Sequence, residues 1–200
     1  MVRKKSESEF AKFANNLDIW THKFKDQGIG SCPVCHASVT LYKSVRAVDY
    51  QLILPSNEVV WVEVKSDPKS YPWANEERGV RPGQREFMQS WLDRGVACYF
   101  ALSIGDGRAP DGRAFYLVPW DVYLGIEKIV EEAGLKSIPW KENIRKISKT
   151  VNCELLFDGY QLNWEDGKWI LPDNHIFQRK LWSIASGNDD GNESNGKLDF

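Results

Sequence analysis

The chain has 200 residues, of which 42% are hydrophobic and 27% charged, and its formal net charge is -2. That supports one globular domain with a real core, and it excludes a global basic field as the means of holding nucleic acid, so any such contact must come from a local patch. The N-terminal MVRKKSESEF lacks an apolar signal core and no run is long enough to cross a bilayer, so the expectation is a soluble cytoplasmic protein with no membrane partner.

In SESEFAKFANNL, Phe10, Phe13, Ala14 and Leu17 fall at i, i+3, i+4 and i+7, which predicts a helix with one apolar face. Ser6 and Glu9 have the spacing of a capping box at its start. WTHKF reads as a short strand, residues 26–38 as a Gly/Ser/Cys-rich loop, and VTLYKSV and VDYQLIL as strands. Pro55, Ser56 and Asn57 supply a turn into the strand EVVWVEVK. A long polar loop follows, then the helix QREFMQSWLDRG, stopped by Gly95. VACYFALSI and AFYLVPW are strands, and DVYLGIEKIVEEAG is a helix ending at Gly134. CELLFDGYQLNWEDGKWILP alternates like a hairpin, with Trp164 and Trp169 flanking its turn; HIFQRKLWSI is a last helix or strand. The polar, low-complexity end from 185 to 200 reads as disordered. This order predicts an α/β fold: a small mixed sheet flanked by helices over 1–136, a C-terminal β-hairpin appendage over 137–184, and a tail.

Three charges interrupt the strand sequence. Side chains alternate along a strand, so Glu63 and Lys65 share a face with Trp61 and Val59, while Val60, Val62 and Val64 face the other way. If VDYQLIL and EVVWVEVK pair as a hairpin, Asp49 approaches Glu63 at the end far from the turn. Two carboxylates there repel, and a divalent cation removes the repulsion; hard oxygen ligands suit Mg²⁺ or Mn²⁺. Lys65 points into the same space, where it can orient a water or stabilise charge on a phosphate. The plainer reading is a structural cross-strand ion pair. An acid-x-Lys triplet occurs three times, at Glu63, Asp67 and Asp166, and only the first lies in an apolar strand with an upstream aspartate on a neighbouring strand.

Val48-Asp49 followed by Glu63-Val64-Lys65 resembles the signature of the PD-(D/E)XK nuclease superfamily, with valine in place of the proline. That family commonly carries a glutamate on the preceding helix, where Glu9 stands, and a glutamine on the following helix, where Gln84 stands. Gln84 precedes Phe87, Met88 and Trp91 by three, four and seven residues, which aims it inward. RPGQREFMQSWLDRGVACYFAL is similar to the helix-to-strand step of bacterial and phage Holliday junction resolvases. The resemblance spans roughly residues 6 to 120. It implies a restriction-endonuclease-like core and a metal-dependent endodeoxyribonuclease, bacterial or phage-encoded, acting on branched DNA as a homodimer. Asp49 and Glu63, with the Val64 carbonyl and Glu9, would bind the metal; Lys65 would position the water and Gln84 would orient a ligand or that water.

Cys32-Pro-Val-Cys35-His36 is half of a zinc site, with His22 and His36 as the nearest further ligands; the alternative is two reduced cysteines in a loop. Cys98 and Cys153 lie in strand-like sequence and are expected in the core. Lys43, Arg46, Lys69, Arg78, Arg81 and Arg85, with Trp73 among them, are candidates for phosphate contact and base stacking, although Glu76 and Glu77 dilute the charge. Two other classes stay open: another repair, flap or restriction-like nuclease on the same core, or a non-catalytic, zinc-stabilised DNA- or protein-binding module.

Overall fold

The computed structural model describes residues 3–17, 19–24, 29–31, 38–40, 48–67, 70–73, 79–105, 112–139, 157 and 159–178. In chain order the elements are α1 (Arg3–Asn16), β1 (Trp20–Lys23), β2 (Ile29–Ser31), β3 (Ser38–Thr40), β4 (Tyr50–Ile53), β5 (Val59–Asp67) and β6 (Ser70–Tyr71). After them come α2 (Pro82–Leu92), β7 (Ala97–Ile104), β8 (Ala114–Pro119), α3 (Trp120–Glu132), β9 (Ile138–Pro139), β10 (Asn163–Glu165) and β11 (Lys168–Ile170).

The result is a mixed α/β fold. A five-stranded sheet runs in the order β1-β4-β5-β7-β8. β1, β4 and β5 form antiparallel pairs, β5 and β7 run parallel, and β8 returns antiparallel to β7. The parallel step requires a crossover, which α2 supplies. Its start has proline at the first helical turn, and the chain leaves it through Gly95 at φ 80°, a left-handed position that suits glycine.

The alternation expected of β5 decides what faces what. Val60, Val62 and Val64 are buried against Phe10, Phe13 and Ala14 of α1 and against Tyr50 and Leu52 of β4. On the opposite face Phe100, Leu102 and Val118 pack with Met88 of α2 and with Trp120, Tyr123, Ile126 and Val130 of α3. Cys98 is buried in this second layer, and its thiol is pushed up to about 12 by burial. No described helix is long and apolar enough to cross a membrane.

Several sequence expectations need correction. α1 begins at Arg3, so Ser6 and Glu9 lie inside the helix and do not cap it; Arg3, Lys4 and Lys5 are good helix formers and extend it upstream. The segment 26–38 is not all loop, because β2 pairs antiparallel with β3 through Ile29↔Thr40 and Ser31↔Ser38. Inside the long polar loop β6 pairs with β9, across more than sixty residues of chain (Tyr71↔Ile138). The C-terminal hairpin forms as expected, with Asp166 and Gly167 both at positive φ in the turn and Trp164 opposite Trp169, ring centroids 5.0 Å apart. It sits on the main core: Leu162, Trp169, Leu171 and Phe177 join the α1 layer, and the amides of Leu162 and Leu117 donate to the carbonyls of Phe115 and Tyr160. Residues 185–200, with Cys153, lie outside the described residues.

Candidate active site

The Pro55-Ser56-Asn57 turn sets the register of the β4–β5 hairpin. Asn57 takes φ 65°, the Asn57 amide donates to the Leu54 carbonyl, and Tyr50 then pairs with Val62 and Gln51 with Trp61. One step past Tyr50 lies Asp49, alongside Glu63. Asp49 is 8% exposed, and its Oδ2 accepts the Val64 amide at 2.9 Å. The N–H and C=O of one strand residue point to the same edge, so the Val64 carbonyl also faces the Asp49 side.

Glu63 is fully buried. Its Oε1 accepts Gln84 Nε2 at 2.7 Å and meets Lys65 Nζ at 2.6 Å. Lys65 Nζ also donates to Gln84 Oε1 at 3.2 Å, and the same oxygen accepts the Arg81 amide at 3.1 Å. Gln84 therefore bridges the lysine, the glutamate and the start of α2. Its place in the first turn of α2, on the inward stripe shared with Met88, delivers it to this point.

The second oxygen, Glu63 Oε2, is buried and has no hydrogen-bond partner. An ionised carboxylate left so is costly. Its carboxyl is accordingly pushed up to about 8, first by burial and then by the charge of Asp49, against the opposing pull of Lys65 and Gln84. A proton or a cation relieves the same deficit. Two facing carboxylates, one with an unpartnered oxygen, fit a hard divalent cation, and the Val64 carbonyl faces the same edge. Among the described residues no three His, Cys, Asp or Glu side chains lie together, so the remaining ligands of such an ion would be water and substrate oxygens, as Mg²⁺ commonly takes.

Glu9 does not join this group. α1 packs on the opposite face of the sheet, and there Glu9 Oε2 accepts Arg113 Nη1 at 2.8 Å. Arg113 is itself buried and donates to the Gly105 carbonyl. Glu9, expected at the metal, is here the partner of a buried guanidinium.

Of the expected DNA contacts, Arg85 is committed elsewhere: both terminal nitrogens donate to Glu127, at 2.6 and 2.8 Å. Glu127 also accepts the Tyr123 hydroxyl. Trp73 donates its Nε1 to the Leu135 carbonyl at 3.2 Å and packs in the α2–α3 layer. Trp73, Arg85 and Glu127 line an open groove with Val80, Leu124 and Lys128, and none of Asp49, Glu63, Lys65 or Gln84 lines it. Arg81 is exposed at the start of α2, and its backbone amide donates to Gln84, which links it to Glu63. Lys43, Arg46, Lys69 and Arg78 lie outside the described residues, as do Cys32, Cys35 and His36 of the expected zinc group. His22 is exposed on β1, stacked on Trp20.

Two charged residues that hold these side chains, Glu127 for Arg85 and Arg113 for Glu9, drew no attention in the sequence. Glu127 follows Tyr123 and Ile126 on the buried stripe of α3, so an acid on an apolar face was the available signal. Arg113 sits at the start of β8 and has no local signal, because its partner is 104 positions away. No protein-family model matches the chain, and no curated protein matches its sequence.

Proposed function

We propose that this chain is a metal-dependent endodeoxyribonuclease of the PD-(D/E)XK type, built on a restriction-endonuclease-like core and acting on branched DNA in the manner of a Holliday junction resolvase. One observation carries the reading: the buried Glu63 carboxylate, with one oxygen unpartnered, is set beside Asp49 and in contact with Lys65 and Gln84. A purely structural ion pair satisfies its oxygens; this one leaves an oxygen open beside a second acid.

Asp49 and Glu63, with the Val64 carbonyl, would hold Mg²⁺ or Mn²⁺. The ion, when bound, neutralises the two acids and supplies positive charge to the scissile phosphate. Lys65 carries an ammonium that can donate to the attacking water or to a phosphate oxygen. Gln84 fixes that ammonium, because its carbonyl oxygen accepts from Nζ while its amide group donates to Glu63. The buried side of Glu63 keeps the carboxylate from rotating away. Attack of the water oxygen on phosphorus breaks the P–O3′ bond, leaving a 5′-phosphate and a 3′-hydroxyl. A homodimer follows from the same reading, since a four-way junction presents two strands for cutting.

A second reading, a zinc-stabilised binding module without catalysis, is favoured by one observation. β2 and β3 pair on either side of Cys32-Pro-Val-Cys35-His36 in the sequence, as the strands of a zinc-closed ribbon would. The deciding experiment is a gel assay on a synthetic four-way junction, a flap and a linear duplex, with Mg²⁺, Mn²⁺ or EDTA, beside Glu63→Ala and Lys65→Ala. Symmetric nicking of the junction that EDTA stops, with both variants inactive yet still binding, is the expected result. Cutting of the flap or the duplex alone removes the resolvase assignment. Absence of cleavage together with stoichiometric zinc supports the binding module.

A further inference from the structure

We propose that the outer face of β1 is a stacking strip for unpaired bases of the bound DNA, leading from the carboxylates to the edge of the sheet. The proposal rests on the nuclease reading and adds a substrate feature to it: a single-stranded segment next to the cut.

Trp20 and His22 are two residues apart on β1 and so share a face. Their rings lie parallel, 9° apart in plane and 5.9 Å between centroids. Phe24 continues the line, edge-on to His22 at 4.8 Å and 5.8 Å from Trp61. Trp61 precedes Glu63 by two residues and lies on its face of β5. The amide of Phe24 donates to the Asp49 carbonyl at 3.0 Å. The strip is therefore joined at its inner end to both acids.

At its outer end Trp20 is 54% exposed, the one exposed tryptophan among the described residues. One face of its indole is used by His22, and a parallel stack of this kind accepts another flat ring on the open face. Base-on-aromatic stacking tolerates any base, because every base offers a π-face. Outward from the two acids the charges agree with a polyanion. The β1 and β4 residues on this face, Trp20, His22, Gln51 and Ile53, include no carboxylate. Arg94, exposed at the end of α2, stands over Trp91 at 5.9 Å, and Trp91 lies 5.6 Å from Trp61. A second copy of the chain is the less favoured occupant, because β1 is a four-residue edge strand carrying lysine, a form that resists strand addition.

The test uses the full chain in EDTA, with fluorescein-labelled oligothymidylate and a blunt duplex as separate anisotropy probes. Trp20→Ala is expected to weaken oligothymidylate binding about tenfold, the worth of one stacked base, and to leave duplex binding unchanged. Trp20→Phe should restore most of the loss. Equal binding by wild type and Trp20→Ala overturns the strip, as does a wild type that cuts DNA yet ignores oligothymidylate. Conversion of a dimer to a monomer by Trp20→Ala in sedimentation, with DNA binding intact, makes the face an interface between copies and overturns it too. Absence of both binding and cleavage removes the strip together with the nuclease reading beneath it.

Discussion

Gln84 Nε2 donates to Glu63 Oε1 across 2.7 Å, tying the first turn of α2 to the fully buried acid of β5. Above pH 8, where Glu63 is ionised, a hydrogen bond to this charged buried group is worth about 1.5–3 kcal/mol, and the donor here also restrains Lys65. Gln84→Leu keeps the side-chain volume while deleting both contacts. The expected outcome is a loss of about 2 kcal/mol in urea unfolding in that pH range and a further rise of the Glu63 pKa. A loss below about 0.5 kcal/mol, the range of ordinary surface substitutions, would show that the bond contributes nothing.

The acid-base behaviour of Glu63 gives a second prediction. Its carboxyl is raised from 4.5 to about 8, chiefly by burial. The folded protein thus holds the proton longer than the unfolded chain. The stability that Glu63 contributes is full below 4.5 and is lost as pH climbs through 8. Wild type should therefore lose stability relative to Glu63→Gln between those limits in EDTA. Saturating Mg²⁺ should return it, more at pH above 8 than below 6, because a proton and a cation compete for the same oxygens. Parallel wild-type and Glu63→Gln unfolding curves across pH, with and without Mg²⁺, would contradict both statements.

The Arg85–Glu127 pair separates a structural from a DNA-binding role. Glu127 is buried, whereas the Arg85 side chain keeps 32% of its surface in water. Removing the arginine strands a buried carboxylate; removing the glutamate leaves an arginine that can reach solvent. Arg85→Ala is expected to cost about 3 kcal/mol, and Glu127→Ala less. The dependence of DNA affinity on salt should keep its slope in Arg85→Ala, since both terminal nitrogens of the guanidinium are taken by Glu127. A slope smaller by about one unit would mean that it contacts a phosphate.

Legibility in the sequence followed the range of each interaction. The Pro55-Ser56-Asn57 turn and strict alternation were enough to bring Asp49 alongside Glu63 and to set Lys65 on the same face, because hairpin register is a local property. Helical periodicity likewise turned Gln84 inward. The sequence could not tell that Arg85, read as a phosphate ligand, meets a carboxylate on α3, or that Trp73 spends its indole nitrogen on Leu135. Those partners lie 42 and 62 positions away, and a charge or an aromatic looks the same in either use. The S-x-x-E start of α1 misled for a related reason: the spacing is a cap only where the helix ends, and here α1 continues upstream to Arg3.

Glu9 supplies the sharpest contrast between resemblance and geometry. On the resemblance alone it belongs to the metal. In the structure it faces Arg113, which is 4% exposed, on the side of the sheet away from Glu63. Glu9→Ala strands that guanidinium, whose Nε already lacks a partner, and should cost about 3 kcal/mol. The Mg²⁺ concentration giving half-maximal stabilisation should stay at its wild-type value, because Glu9 is engaged by Arg113. Glu9→Ala in an Arg113→Met background should recover most of the loss, since the unpaired charge is gone. A variant that keeps its stability but needs far more Mg²⁺ would reverse the assignment, and would require α1 to swing Glu9 round the end of the sheet.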